Sequence, residues 1–491
     1  MKFLLSYSLS LSIIFITIQS SFSASIAVID SGTDMKHEKI STHKWIDQLD
    51  YQINGRDDDK DGYIDDISGW NFVENNSEVI DYKYLNIFNS DHRRFFDIQA
   101  KFSSNNASRE DLLWIQQKIK DKKFMKEIAA FGNFVHGTHV AGICVDKSTT
   151  NKVQAIKMIA TDAGGGDNGG DDGEGGESEG EGESESTPKK IDPSDGPIYT
   201  DYKDALAQGL TNIDLVKYIL NGIAKRQMEG MSEIVLYVNF HKIEIANGSF
   251  GIGYTQAESL VTNVAEAALE RKISKEEARE ATNYLLKQIL GYGQKAFEKA
   301  ANTLFVFAAG NDGSNNDIYP TSPTNIKRNN TISVAATIER KGLANFSNFG
   351  KAMVEVAAPG VNITSAVPGD EYLGLSGTSQ AAPFVSNIAA EIVAQNPKLS
   401  PKEIKEILIK TVDVKSFLAG KVLSSGIVNR DRATRAAQLS KNISLSSAIA
   451  QAQREIKNVP SEMSDDEYKR IQTLIHSNMQ YIMPLPSGFN F

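Results

Sequence analysis

Ser25-Ile-Ala-Val-Ile-Asp30-Ser-Gly32 is the stretch that decides the architecture. A short unbroken apolar run bounded by turn residues predicts a buried strand, and Gly32 marks the turn that ends it. Strand-like runs of the same kind recur at Val153-Gln-Ala-Ile-Lys-Met-Ile159, Ile243-Glu-Ile-Ala246 and Leu304-Phe-Val-Phe-Ala308. A helix is predicted over about 213–228, and Leu375 to Ala390 opens on a glycine-rich turn and continues as an apolar helix. Two helical insertions are expected. One lies at about 81–130, where Leu112, Ile115 and Ile119 recur at helical spacing, and one at about 255–300, where Ser274-Lys-Glu-Glu277 has a capping-box pattern. Strands alternating with helices predict an α/β fold of three layers, with a mostly parallel sheet covered on both faces. A domain over 25–435 is followed by a polar helical extension, 436–491, that carries no chemical motif.

The 491 residues include a single cysteine, Cys144, in the apolar run Val140-Ala-Gly-Ile-Cys-Val145. That excludes an internal disulfide framework and a cysteine-rich zinc site, and makes Cys144 a core residue. The net charge of -10 is local, because ten acidic residues and no basic one lie between Asp162 and Glu185. The surrounding 162–187 segment of Gly, Glu, Asp and Ser cannot bury enough apolar surface to order itself and is expected to be a disordered loop. The remainder is near neutral and gives no argument for nucleic acid as a partner. Residues 1–24 read as a signal peptide, with Lys2, an apolar run over Phe3–Ile18 and small residues at Phe22-Ser-Ala24. No later segment is apolar enough to span a membrane, so an exported monomer in the periplasm, on the surface or in the medium is expected.

Three short segments carry chemistry. They are Val28-Ile-Asp30, His136-Gly-Thr-His139-Val-Ala-Gly142 and Gly377-Thr-Ser379-Gln-Ala-Ala-Pro383. A serine hydroxyl is a poor nucleophile until a base takes its proton, and a carboxylate behind a histidine fixes its tautomer. His136 and Ser379 are both expected at glycine-flanked helix starts. In Phe305-Val-Phe-Ala-Ala-Gly310-Asn311, an asparagine on the turn after a buried strand is placed to donate its amide to an oxyanion, together with the Ser379 N–H. Two other readings of these residues compete with a triad. A metal on His136 and His139 lacks a third ligand at a recognisable spacing. A nucleophile elbow at Ser379 requires its acid and histidine to follow the serine, and here both precede it.

In order, these segments resemble the signatures of the subtilases. Asn247-Gly-Ser249-Phe-Gly251, Tyr319-Pro320, Val356-Ala-Ala-Pro-Gly360 and Ser425-Gly-Ile-Val-Asn429 extend the resemblance over roughly 25–435. The resemblance implies a subtilisin-like fold and a serine endopeptidase. Asp30 becomes the orienting acid, His136 the general base, Asn311 the oxyanion donor, Ser379 the nucleophile and His139 a structural histidine. Subtilisin is the reference case for this order, and loss of its oxyanion asparagine costs about 10²–10³ in turnover. The resemblance also implies that Ser249, Phe250 and Gly251 form an open edge strand for an extended peptide, with Ala308, Ala309 and Gly310 as the facing wall of the primary pocket. Ile318 is expected either to shorten that pocket or to point into the core.

The chain departs from the family pattern in two places. Asp30 lies about six residues after the expected cleavage point, which leaves no room for the family's folding domain between them. Gln380 follows the nucleophile where relatives carry an oxidisable methionine. Activity is therefore expected to resist peroxide, which inactivation kinetics against a Met-bearing relative check. No cofactor is expected to be required. Asp57-Asp-Asp-Lys-Asp-Gly62-Tyr-Ile-Asp65-Asp66 has oxygen ligands at alternate positions, but Ser68 stands where an EF-hand has glutamate. It reads as a structural Ca²⁺ loop or as a solvated acidic turn. Two further functions compete: a catalytically silent subtilase scaffold that binds proteins, and a Ca²⁺-dependent adhesion protein.

Overall fold

A computed structural model describes residues 23–103, 106–162, 212–461 and 463–477. The expected signal peptide and acidic loop lie, but for a residue or two at their ends, outside the described residues.

The apolar runs form β1 (Ser25–Asp30), β2 (Gly69–Asn71), β3 (Lys152–Lys157), β4 (Ile245–Gly248), β5 (Leu304–Ala308) and β6 (Thr331–Ile338). β7 (Gly342–Leu343), β8 (Val356–Pro359), β9 (Ile363–Val367) and β10 (Glu371–Leu375) follow, then β11 (Asp413–Val414) and β12 (Gly426–Ile427). The main sheet has the order β11-β12-β8-β6-β5-β4-β1-β3-β2, with β7 paired to β6, and β9 and β10 form a separate hairpin. Every pairing between β2 and β8 along this path is parallel.

A strand buried on both faces sends alternate side chains to opposite layers. In β1, Ile26 and Val28 join one core and Ala27 and Ile29 the other. The first core is covered by α2 (Ser90–Ser103), α3 (Arg109–Lys118) and α4 (Lys122–Cys144), and later by α8 (Thr378–Gln395), α9 (Pro401–Lys410) and α10 (Arg430–Leu439). The second is covered by α5 (Asn212–Phe240), α6 (Tyr254–Leu269) and α7 (Lys275–Glu298). α1 (Glu38–Ser41) is a single turn after β1. Ser274 and Glu277 cap α7 reciprocally. α5 runs about three turns past the predicted end, because Gly230 leaves the helical path intact.

The extension is not detached from the body. α11 (Leu445–Glu455) buries Ala448, Ile449 and Ala452, and α12 (Asp465–Ser477) packs on α2 of the first insertion. The Arg432 guanidinium joins the two regions by donating to Val412 O at 2.8 Å and Ile456 O at 2.9 Å. Cys144 is buried among the first core, and burial pushes its thiol far up, so it is a packing residue.

Candidate active site

The carboxyl ends of β1, β4 and β5 lie side by side, where open parallel sheets bind ligands. Asp30 is the last residue of β1 and is wholly buried. Its Oδ1 accepts from the Ser31 N–H at 2.8 Å, from Ser31 Oγ at 3.1 Å and from His136 Nδ1 at 2.6 Å. That contact places the proton on Nδ1 and leaves Nε2 as the basic nitrogen. The start of the strand is tied down on both sides. Ser25 N–H donates to Glu244 Oε2 at 2.9 Å, and Lys152 N–H donates to Ala24 O at 2.8 Å.

His136 does not open a helix, as its glycine neighbour had suggested. It sits deep in α4, because the first insertion ends as a helix that continues through Gly132 and Asn133 into the histidine motif. Gly137 is needed for contact rather than flexibility: a Cβ there would stand 2.2 Å from Gly32 O. Gly137→Ala is expected to push α4 off the turn after β1. It should cost about 3 kcal/mol or more in urea unfolding, along with the Asp30–His136 contact. A variant as stable as the parent would refute this close approach.

Ser379 lies in the first turn of α8, whose N–H groups lack intrahelical acceptors. Pro383 cannot donate to the carbonyl four residues back. That carbonyl, of Ser379, instead accepts from Ser249 Oγ at 2.9 Å. The Ser379 hydroxyl donates to Ser249 O at 3.1 Å. Asn311 Oδ1 accepts from the Thr378 N–H and Thr378 Oγ1, both at 2.9 Å, which fixes the amide and leaves Nδ2 as its donor.

The structure therefore brings Asp30 to His136, and Asn311 and Ser249 to the Thr378–Ser379 turn. Among the described residues no hydrogen bond joins His136 to Ser379. Their helices are tied further along, where Asn387 Nδ2 on α8 donates to Ile143 O and Asp146 O at 2.9 Å each.

Ser249, Phe250, Gly251, Ala308 and Gly310 line a cleft with Gly253, Asn311, Asp312, Thr321, Thr378 and Ser379. Ala309 does not line it: its side chain packs with Ala335, Val354 and Ala357 behind the strand. Ser249 to Gly251 lies just beyond β4, outside any strand, and is buried against the Ser322 loop. Ile318 is 64% exposed and takes neither expected position. Thr378 and Asp312 were not singled out from sequence, although their adjacency to Ser379 and Asn311 was a usable signal. Gln380 is buried, and its amide has no partner among the described residues.

His139 is wholly buried, with Nε2 facing Ile363 O at 3.0 Å and Leu373 O at 3.1 Å. Burial holds its pKa down to about 3, so the ring is neutral and pins α4 to the β9–β10 hairpin.

In the acidic loop, carboxylate oxygens of Asp57, Asp59 and Asp61 lie within 4.8 Å of one another. Burial and the Asp61 charge push the Asp59 carboxyl up to about 7, and Asp59 Oδ2 has no hydrogen-bond partner among the described residues. Such a set suits a hard divalent cation, which takes oxygen ligands. Sequence reading missed His241, which is far away in the chain and faces this loop. Burial opposes its charge, but Asp61 and Asp66 raise its pKa to about 9.

The profile of the subtilase family matches residues 23–440. The chain is 41% identical over 116 residues to the cell wall-associated protease of Bacillus subtilis (strain 168), covering 24% of this chain and 12% of that protein. It is 37% identical over 132 residues to subtilisin BL of Lederbergia lenta, covering 27% and 46%. It thus spans less than half the length of these curated relatives. Among solved structures it resembles a cold-adapted subtilisin-like serine proteinase, with TM-score 0.39 and 16% identity over 83% of this chain and 88% of that one. It also resembles a lanthipeptide protease, with TM-score 0.43 and 16% identity over 85% and 88%. Since the profile runs from before β1 to the end of α10 and takes in every segment of the cleft, the chain belongs to the subtilase family.

Proposed function

We propose that the chain is a serine endopeptidase that cleaves exported or extracellular proteins through an acyl-enzyme on Ser379. The observation that carries this reading is the 2.6 Å contact between buried Asp30 and His136 Nδ1, taken with a cleft lined by Asn311 and Ser379. In the reaction the Ser379 hydroxyl leaves Ser249 O and gives its hydrogen bond to His136 Nε2. Catalytic hydrogen bonds of this kind commonly tighten only when substrate is bound. His136 takes the proton as Oγ attacks the peptide carbonyl carbon, and the oxyanion that forms accepts from Asn311 Nδ2 and the Ser379 N–H. The imidazolium, steadied by Asp30, then gives its proton to the departing amine. Water, activated by the same His136, releases the acyl group. The peptide would enter the cleft that Ser249–Gly251 line, with its side chain toward Ala308 and Gly310.

Export is supported by the signal-like N-terminus and by relatives described as cell wall-associated or, in Dichelobacter nodosus, as an extracellular basic protease. Among the described residues no helix is long and apolar enough to cross a membrane. Asp57, Asp59 and Asp61 would hold a structural Ca²⁺, which would steady their loop and take no part in the reaction.

A fluorophosphonate probe tests the proposal. Labelling of the full chain, mapped to Ser379, is the expected result. A folded but unlabelled protein would favour the silent binding scaffold, a reading to which the Ser379–Ser249 hydrogen bond lends some weight. A second test isolates Asn311. Asn311→Asp keeps the acceptor for Thr378 but replaces the donor with a negative charge. It is expected to lower kcat by about 10²–10³, the order known for subtilisin, with little change in KM. Unaltered kcat would remove Asn311 from the oxyanion site.

A further inference from the structure

Three side chains that each carry a buried polar atom without a well-directed hydrogen bond meet where the 47–66 loop reaches the end of α5. The atoms are Asp61 Oδ2, Asp66 Oδ1 and His241 Nε2. The three side chains are 2%, 0% and 2% exposed. His241 Nε2 stands 3.0 Å from Asp61 Oδ2 and 3.3 Å from Asp66 Oδ2, while Nδ1 stands 3.0 Å from Asp47 Oδ2.

Each of these groups is held from behind. Asp47 Oδ1 accepts from the Leu49 and Asp50 N–H groups at 2.6 and 2.9 Å. Asp61 Oδ1 accepts from the Tyr63 N–H at 2.8 Å, and Asp66 Oδ2 accepts the Tyr237 hydroxyl. The imidazole is boxed edge-on by Trp45, Tyr237 and Phe240.

We propose that Asp61, Asp66 and His241 ligate a divalent ion of the Zn²⁺ class, with Asp47 orienting His241 through Nδ1. Two ligand atoms bound to one tetrahedral ion at Zn–N and Zn–O lengths stand about 3.3 Å apart, close to the spacings found. Metal-bound histidines usually give their other ring N–H to a carboxylate, and Asp47 is placed to receive it. Charge points the same way. With all three carboxylates ionised, a neutral imidazole leaves a triple negative charge in a buried site, and a divalent ion cuts it to a single one, against the double negative charge that an imidazolium would leave. The carboxyl end of α5 adds a further negative potential. Ca²⁺ takes oxygen ligands, so the nitrogen separates this site from the Asp57–Asp59–Asp61 set. Such an ion would pin the loop to His241, a few residues before β4 and the Ser249 cleft.

The test uses the full chain as Ser379→Ala, stripped of metal and titrated with Co²⁺. One equivalent is expected to bind with visible d–d absorption, to be displaced by Zn²⁺ and to resist an excess of Ca²⁺. His241→Gln should weaken Co²⁺ binding at least 100-fold and abolish the band while keeping Ca²⁺ uptake. Asp47→Asn should weaken it by about 10–100-fold. Unchanged Co²⁺ affinity in a folded His241→Gln variant, or displacement by equimolar Ca²⁺, overturns the proposal. If that variant does not fold, ¹⁵N-histidine spectra of the Ser379→Ala chain decide. A shift of one Nε2 resonance on adding Zn²⁺ supports the site, and unmoved imidazoles overturn it.

Discussion

Ser379→Ala is expected to lower kcat by about 10⁶-fold on a peptide substrate, the order established for removal of the serine from subtilisin itself. KM should move little, because the residues that line the cleft remain. Folding should be nearly untouched. The hydroxyl makes one hydrogen bond, to Ser249 O, whose loss is worth about 1 kcal/mol. The Ser379 carbonyl keeps its bond from Ser249 Oγ. Some acceleration over water should survive through Asn311 and the first-turn amides, since an oxyanion hole works without its nucleophile. Circular dichroism and urea unfolding beside the kinetics separate loss of chemistry from loss of fold. A variant that retains a tenth of the activity would remove Ser379 from the reaction.

Asp30→Asn is expected to cost about 10⁴ in kcat with little loss of stability. The change is nearly isosteric and takes an ionisable group out of a fully buried position. The Ser31 N–H and hydroxyl can still be received by an amide oxygen. The amide nitrogen then faces His136 Nδ1 and stabilises the tautomer with its proton on Nε2, the wrong nitrogen for a base. Combining Asp30→Asn with His136→Ala should add almost nothing to His136→Ala alone, because the two act as a unit. Additive losses would mean that Asp30 acts independently of His136.

The chemistry was legible because it sits in short, contiguous motifs: Asp30 at a strand end, His136 in its glycine-flanked segment, Asn311 on a turn and Ser379 after Gly377. The alternation of buried strands with helices was equally legible, since each run reports its own burial. What escaped was direction and junction. Ala309 follows the last residue of β5, where strand alternation no longer says which way a side chain turns, and it faces the core. The start of α4 escaped because Gly132-Asn133 at the junction reads as a break, yet the insertion and the histidine motif run through it as one helix. His241 escaped because its carboxylate partners lie more than a hundred residues upstream, and no local pattern marks a histidine for such neighbours. The extension read as an appendage because Ala448, Ile449 and Ala452 are small or isolated, so their burial leaves a faint periodic trace.

The position of β1 has a consequence for how this chain reaches its native state. The strand that carries Asp30 is made well before its neighbours β3 and β4, which lie more than a hundred residues further along the chain. Ser25 is 219 residues from Glu244, with which it hydrogen-bonds. Long loops must therefore close before the central parallel pairing can form, which makes folding slow in proportion to the sequence separation of its contacts. The same interleaving works in reverse. Extracting β1 requires breaking two parallel ladders at once, and for the endopeptidase proposed above the resulting barrier to unfolding would limit digestion by its own kind.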